Sequence, residues 1–325
     1  MSSRPASLTR RLLIAATLLL VMTPLPSHAA DKIRLGKGIN ILFTLLPADV
    51  AVAEGIYAKY GLDVEIITLT GDAKLQAAIT ADSVDMGFGG GPTMAFVSKG
   101  APEIAVASLV GAPTSFSVVL AKDSPIKTVD DLKGKLLAVA SNGSVPQWLV
   151  RRLSIHQGWG PDGIRTNATG AFEASLAATL THQVDGFMGA TEAGYQLEEN
   201  GRGHILVGMA QYVPDFITQV VYARNSFLKE HPDQVERFLK ATFAGVAYMK
   251  THKAETVALA AKQLNQTEAV MSRTYDYEIA SISSDGSFNP KAVEMLKDSF
   301  LDMGILQEKP KDEMMYTTKF TPVKP

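Results

Sequence analysis

Residues 77–93, AAITADSVDMGFGGGPT, constrain this chain more than any other stretch. The order is a helix-forming segment, a short apolar strand at 84–88, three consecutive glycines and then Pro92. That is the sequence of a helix, a strand, a tight turn and a new helix. Pro92 suits the first turn of a helix, where its missing N–H costs nothing. Glycines leave backbone N–H groups uncovered by side chains. The turn is therefore either a seat for a polar or anionic group or a bend that holds nothing.

The same alternation extends in both directions. A first strand is expected at 33–39, a helix at 47–61 closing at Gly61, a strand at 62–67 and a helix at 75–80 entered through Gly71 and Asp72. A second round starts with a strand at 118–121. A short helical turn follows at 128–135, a strand at 136–140 and a helix running to His156. Helices at 173–180 and 191–199 flank a strand at 184–188, and a strand at 204–208 closes the round. Strands alternating with helices indicate α/β architecture with mostly parallel sheets. The two rounds repeat the order of parts, not the residues.

From Ser226 the pattern is helical only. Val235, Phe238, Leu239, Thr242, Val246 and Met249 share one face of a helix over 233–250. Further helices are expected at 254–264, 267–275 and 290–303, with a loosely ordered tail beyond Lys309.

Residues 1–29 read as a secretory signal. Arg4, Arg10 and Arg11 precede an apolar run over 12–22, too short to span a bilayer comfortably, and Ser27-His28-Ala29 offers a cleavage site. Thr9-Arg10-Arg11-Leu12-Leu13 faintly resembles a twin-arginine signal. Ordinary export is the preferred reading, since paired arginines are common in such leaders. The chain has no cysteine. That excludes disulfides, thiolate catalysis, cysteine metal sites and a lipid anchor. Losing the leader removes three arginines and no acid, taking the formal charge from −2 to −5. An acidic surface argues against nucleic acid or an anionic membrane as partner. The expected product is a periplasmic protein, free of the membrane and monomeric.

Four stretches in order carry a family resemblance. Ala53-Glu54-Gly55-Ile56-Tyr57-Ala58-Lys59-Tyr60-Gly61-Leu62-Asp63-Val64 is similar to a word of the nitrate, sulfonate and thiamine-precursor class of periplasmic solute-binding proteins of ABC importers, one residue short at its alanine-to-glycine step. The stretch 77–93 resembles the helix, Val-Asp strand and glycine-rich loop that follow. Val129-Asp130-Asp131-Leu132-Lys133-Gly134-Lys135 resembles the entry to a second lobe, and Arg224-Asn225-Ser226-Phe227-Leu228 with His231-Pro232 the return to the first. The resemblance covers about 33–304. It implies a type II, two-lobed periplasmic binding fold, each lobe a mostly parallel sheet flanked by helices. Two hinge crossings are placed near 114–117 and 213–217. Lobe one would comprise 30–115 and 218–325, and lobe two 116–217, closing on a ligand in the flytrap manner.

Ligands of open α/β sheets sit at the carboxyl ends of strands. In lobe one this selects Asn40, Phe43, Asp72, Gly90, Gly91 and Thr93. Phe43 could stack on a ring or fill core. Asp72 could accept from a ligand amine or cap the helix after it. In lobe two it selects Ser141, Asn142, Ser144, Thr169, Thr191, Glu192 and Asp215. Ser144 could equally be a helix cap, Glu192 a first-turn acid complementing a helix dipole, and Trp148 could face cleft or core. No arginine falls in these loops, whereas anions are usually held by arginine forks or several helix N-termini. The reading therefore leans towards an amine or heterocyclic N–H ligand, such as a thiamine-precursor-like pyrimidine, with a sulfonate still open. No metal or cofactor is expected. The partners would be an ABC permease and its ATPase.

Two rival functions remain at this point. One is an enzyme of the same fold that makes the thiamine pyrimidine; the resemblance gives such enzymes a cysteine-rich motif, which this chain lacks. No histidine pair at metal spacing and no Gly-x-Ser-x-Gly elbow is present. The other is a binding protein that feeds a sensor receptor instead of a transporter.

Overall fold

The computed structural model describes residues 30–38, 42–69, 71–142, 144–170 and 172–325. The expected leader and Asn40 lie outside the described residues. Two five-stranded sheets organise the chain. The first begins with β1 (Asp31–Lys37), β2 (Leu62–Thr68), β3 (Met86–Gly90) and β4 (Glu103–Val110). The second holds β5 (Phe116–Ala121), β6 (Leu136–Val139), β7 (Arg165–Ala168), β8 (Gly186–Ala190) and β9 (Gly203–Gly208). The chain then returns to the first sheet as β10 (Gln219–Arg224).

The spatial orders are β2-β1-β3-β10-β4 and β7-β6-β8-β5-β9. In each sheet three strands run parallel, and the strand next to them is antiparallel to both its neighbours. That antiparallel strand is the one entered directly from a crossing, β5 after 111–115 and β10 after 209–218. The sheets are thus mixed, and the architectural repeat extends to strand order. Sequence pattern does not reveal β4, β7 or β10. β4 and β10 are buried on both faces and read as continuous apolar runs without alternation. β7, Arg-Thr-Asn-Ala, is an exposed edge strand with no apolar face.

The helices follow their periodicity closely, with one correction. The helix expected over 47–61 is two, α1 (Pro47–Ala53) and α2 (Ile56–Lys59). Gly55 between them sits at φ 62°, a left-handed conformation that ends one helix and starts the next. Then come α3 (Asp72–Thr80), α4 (Met94–Val97), α5 (Val145–His156), α6 (Phe172–Leu180) and α7 (Thr191–Glu199). The C-terminal set is α8 (Asn225–Glu230), α9 (Pro232–Thr251), α10 (Lys253–Leu264), α11 (Glu268–Glu278) and α12 (Pro290–Asp302). α9 buries the six residues predicted for its apolar face. Tyr57 of α2 stacks on Phe238 with centroids 5.3 Å apart, and its hydroxyl pairs with Thr242 at 2.7 Å.

Asp85 of the Val-Asp word has a structural role. Burial pushes its carboxyl up, but the Arg34 and Arg224 guanidiniums, at 2.7 and 2.8 Å, outweigh it and hold the group below its ordinary range. Trp148 belongs to the core: it is 1 % exposed, stacks on Phe216 at 4.8 Å and donates its indole N–H to Asp302 at 3.1 Å. One buried apolar cluster runs from Val84, Met94 and Val220 to Val118, Leu137 and Trp148, so the two sheets share core.

The tail beyond Lys309 is packed, contrary to the sequence expectation. Met315 is fully buried and Val323 nearly so. The Ala105 amide donates to the Met315 carbonyl at 3.2 Å, and the Thr317 amide to the Ala105 carbonyl at 2.9 Å, extending the first sheet beyond β4. The segment is rich in lysine and proline, while a few apolar anchors decide its placement. Met315→Ala is therefore predicted to lower unfolding stability by about 2–4 kcal/mol in urea denaturation; a loosely held tail would leave stability unchanged.

Candidate functional site

A cavity of about 540 Å³ opens where the carboxyl ends of strands from both sheets face one another. Asp72, Phe88, Gly89, Gly90 and Thr93 line it from the first sheet's side. Phe116, Ser141, Ser144, Phe187 and Ala190 line it from the second. Of the residues singled out from sequence, Asp72, Gly90, Thr93, Ser141 and Ser144 meet around this one space.

The glycine run is built differently from its sequence reading. It is not a bare loop: β3 continues through Gly89 and Gly90, which pair with Val220 and Gln219 of β10. The Gly91 amide donates to the Thr218 carbonyl at 2.9 Å. The Gly90 amide donates to both carboxylate oxygens of Asp72 at 3.3 Å, and the Thr93 hydroxyl to Oδ2 at 3.3 Å. The anion seated at the glycines is the protein's own. Space explains the glycines: a Cβ on Gly90 would lie 2.6 Å from Asp72 Oδ2, and one on Gly38 would overlap Oδ1. Gly71 is the N-cap residue of α3 and Asp72 makes no capping bond, so its carboxylate is free to cross to β3. Burial raises the Asp72 carboxyl above its ordinary range, against the opposing bonds from Gly90 and Thr93.

The other sequence candidates stand back from the cavity wall. Phe43 is buried core, set edge-on to Tyr275 at 6.0 Å. Asn142 accepts from the Gln147 side chain at 3.2 Å. The Thr169 and Ser175 hydroxyls pair at 2.6 Å, and it is Ser175 and Gly170 that reach the cavity. Thr191 donates to the Thr114 carbonyl at 2.8 Å. Asp215 lies on the return crossing, outside the lining. Ser144 does two things: it caps α5, accepting from the Gln147 amide at 3.5 Å, and it lines the cavity.

Sequence reasoning missed the apolar wall, formed by Phe88, Phe96, Phe116, Phe172, Phe187 and Met188. The signal available was an aromatic at a strand or helix end in each round, a pattern that core residues share. Among the described residues no group of three His, Asp or Glu is arranged to hold a metal ion.

Glu192 has a structural setting at the junction of the two sheets. It lies in the first turn of α7, is 3 % exposed, and its Oε1 accepts the Phe43 amide at 2.9 Å. Glu278, at the end of α11, is fully buried and accepts the Ser115 hydroxyl at 3.3 Å; Ser115 pairs with Thr44 at 3.2 Å. Two carboxyl groups therefore share the ground between a crossing, a helix from each side and the turn at 43–45. Burial pushes Glu192 up to about 7, with the Phe43 amide opposing. Burial, then the charge of Glu192, pushes Glu278 well above the carboxylate range. The folded protein thus holds protons that the unfolded chain releases near 4.5. This part of its stability is complete below about 4.5 and is lost as pH rises through about 7. Glu192→Gln is predicted to stabilise the protein by about 1–3 kcal/mol at pH 8 and to change little at pH 4.5. Urea denaturation at the two values checks this; an equal effect at both would contradict it.

Comparison with known proteins bears on this geometry. The family model described as NMT1/THI5 like matches residues 44–256, more than half of the chain. A Brucella abortus protein provisionally named a binding protein is 26 % identical over 321 residues, covering 93 % of this chain and 96 % of its own length. A 4-amino-5-hydroxymethyl-2-methylpyrimidine phosphate synthase of Saccharomyces cerevisiae is 24 % identical over 217 residues, 63 % of each chain. The alkanesulfonate-binding protein SsuA of Xanthomonas axonopodis pv. citri, solved with MOPS bound, superposes with a TM-score of 0.71 at 17 % identity, over 86 % of this chain and 96 % of that one. The fold is that of the periplasmic binding proteins.

Proposed function

Because the chain belongs to the NMT1/THI5-like family, we propose that it is an extracytoplasmic solute-binding protein that delivers a small organic ligand to an ABC importer. One observation carries this reading. The cavity lies between the strand ends of two sheets and takes its walls from both, as a cleft that closes on a solute requires. In this reading the lobes divide near residues 115 and 217, the leader directs export to the periplasm, and the closed form docks on the permease. Among the described residues no helix is long and apolar enough to cross a membrane.

The enzyme alternative draws its support from the yeast synthase relative. Against it, the described lining holds no histidine, lysine or tyrosine, and the chain has no cysteine. The one lining hydroxyl that meets a carboxylate, Thr93 on Asp72 at 3.3 Å, has no histidine or lysine in the described lining to complete a proton relay. The apolar wall suits an organic body better than bare nitrate, and the absence of arginine from the described lining disfavours a sulfonate. A pyrimidine carrying N–H groups, of the thiamine-precursor kind, fits both conditions.

A thermal-shift panel of pyrimidines, alkanesulfonates, nitrate and aromatic acids tests the function. A true ligand at ~100 times its Kd should add about 2.7 kcal/mol of stability, and no panel member should be turned over. Turnover of a panel member with no shift from any would contradict the binding-protein reading.

A further inference from the structure

We infer that the cleft selects organic cations, with Asp72 as the counter-ion for a protonated nitrogen on an apolar or aromatic body. The inference rests on reading the cavity as a solute site and adds the charge class of the solute. Asp72 is the only ionisable side chain among the described residues that line the cavity. The six interior residues outside the described set are Ile39, Asn40, Ile41, Thr70, Gly143 and Ala171, none of them ionisable. The wall thus carries one acid and no base to neutralise it.

The carboxylate is held in place yet under-used. Its donors are the Gly90 amide and the Thr93 hydroxyl, both at 3.3 Å. An ionised carboxylate accepts about four hydrogen bonds, and good ones to N–H are nearer 2.9 Å. Capacity therefore remains on the cavity side. Gly38 and Gly90 leave the room the carboxylate occupies, since a Cβ on either would meet one of its oxygens. Phe88, Phe96, Phe116, Phe172 and Phe187 make the rest of the wall strongly aromatic, a surface type that accommodates cations where a ring face is presented.

The groups packed around Asp72 reinforce its sign. From β4, Glu103 is buried, with Oε1 accepting the Gln76 side chain at 3.0 Å and Oε2 without a hydrogen-bond partner. Burial pushes it up to about 7, the Gln76 bond opposes, and the charge of Asp72 adds to the rise. From β10, the Tyr222 hydroxyl donates to the Gly90 carbonyl at 2.8 Å and contributes no positive charge. Bringing an anion to this wall opposes the Asp72 carboxylate. Bringing a cation relieves the strain of a carboxylate held in a poorly solvated place, and draws its proton off where it was protonated. Cation affinity therefore rises with pH through the Asp72 titration, and affinity for a neutral ligand does not.

The test uses three probes of one shape: benzylamine, benzyl alcohol and benzenesulfonate. Calorimetric titration of the whole protein measures each from pH 5 to 8, with Asp72→Asn alongside. Benzylamine should bind about 10- to 100-fold more tightly than benzyl alcohol, the worth of a charge-assisted hydrogen bond. Asp72→Asn should erase that preference, and wild-type affinity for benzylamine alone should weaken towards acid. The wild-type preference among the three probes needs no variant, so it decides the charge class even if Asp72→Asn folds poorly. Tighter binding of benzenesulfonate, or a preference that survives Asp72→Asn, overturns the charge assignment and leaves the solute-binding reading in place. Failure of all three to bind at millimolar concentration counts against both.

Discussion

The seating of the Asp72 carboxylate on the end of β3 organises the first half of the cleft. Two glycines leave room for it, Gly38 and Gly90, at two neighbouring strand ends. The bond from the Gly90 amide fixes where α3 begins relative to β3, and the bond from Thr93 ties in the turn after the strand. The cavity floor, its charge and the helix that bears the charge are consequences of one contact. A backbone that could have bound an external anion is instead committed to an internal one, which inverts the electrostatic preference of the site.

Opposite this contact, the two sheets meet through a second set of buried acids. Glu192 takes the amide of Phe43, and Glu278 takes the hydroxyl of Ser115 on the first crossing. Both hydrogen bonds span elements far apart in sequence. A buried carboxyl group that is unpaired with a base is favoured in its neutral form. The junction between the sheets is thus polar, specific and proton-dependent, while the shared apolar cluster around Trp148 and Phe216 supplies its non-specific cohesion.

Much of this fold is legible in the sequence because each helix carries its apolar face at 3.6-residue spacing and each turn its glycine or proline. α7 begins and ends where the pattern places it, and α9 buries the predicted residues. Legibility fails where burial is two-sided or absent. β4 and β10 lack alternation, and β7 has no apolar residue larger than Ala168. The antiparallel placement of β5 and β10 is a property of the crossings, which no local pattern encodes. At the site, loop positions after strands place Asp72, Gly90, Thr93, Ser141 and Ser144 around one cavity. What local reasoning could not supply is the partner of each group. Asp72 and Gly90 are eighteen residues apart in sequence, so a helix cap and a cross-strand seat look identical until the fold joins them. The aromatic wall is hidden for the same reason, since its phenylalanines come from separate elements and each resembles ordinary core.

The central claim is that a solute sits between the sheets with a protonated nitrogen against Asp72. A crystal structure of the protein with a small-molecule ligand bound tests it most directly. The account predicts a ligand nitrogen within about 3 Å of the Asp72 carboxylate, its body among the phenylalanines. An anionic group resting on Gly90 and Thr93 with Asp72 displaced, or a ligand bound outside the cavity, would contradict it.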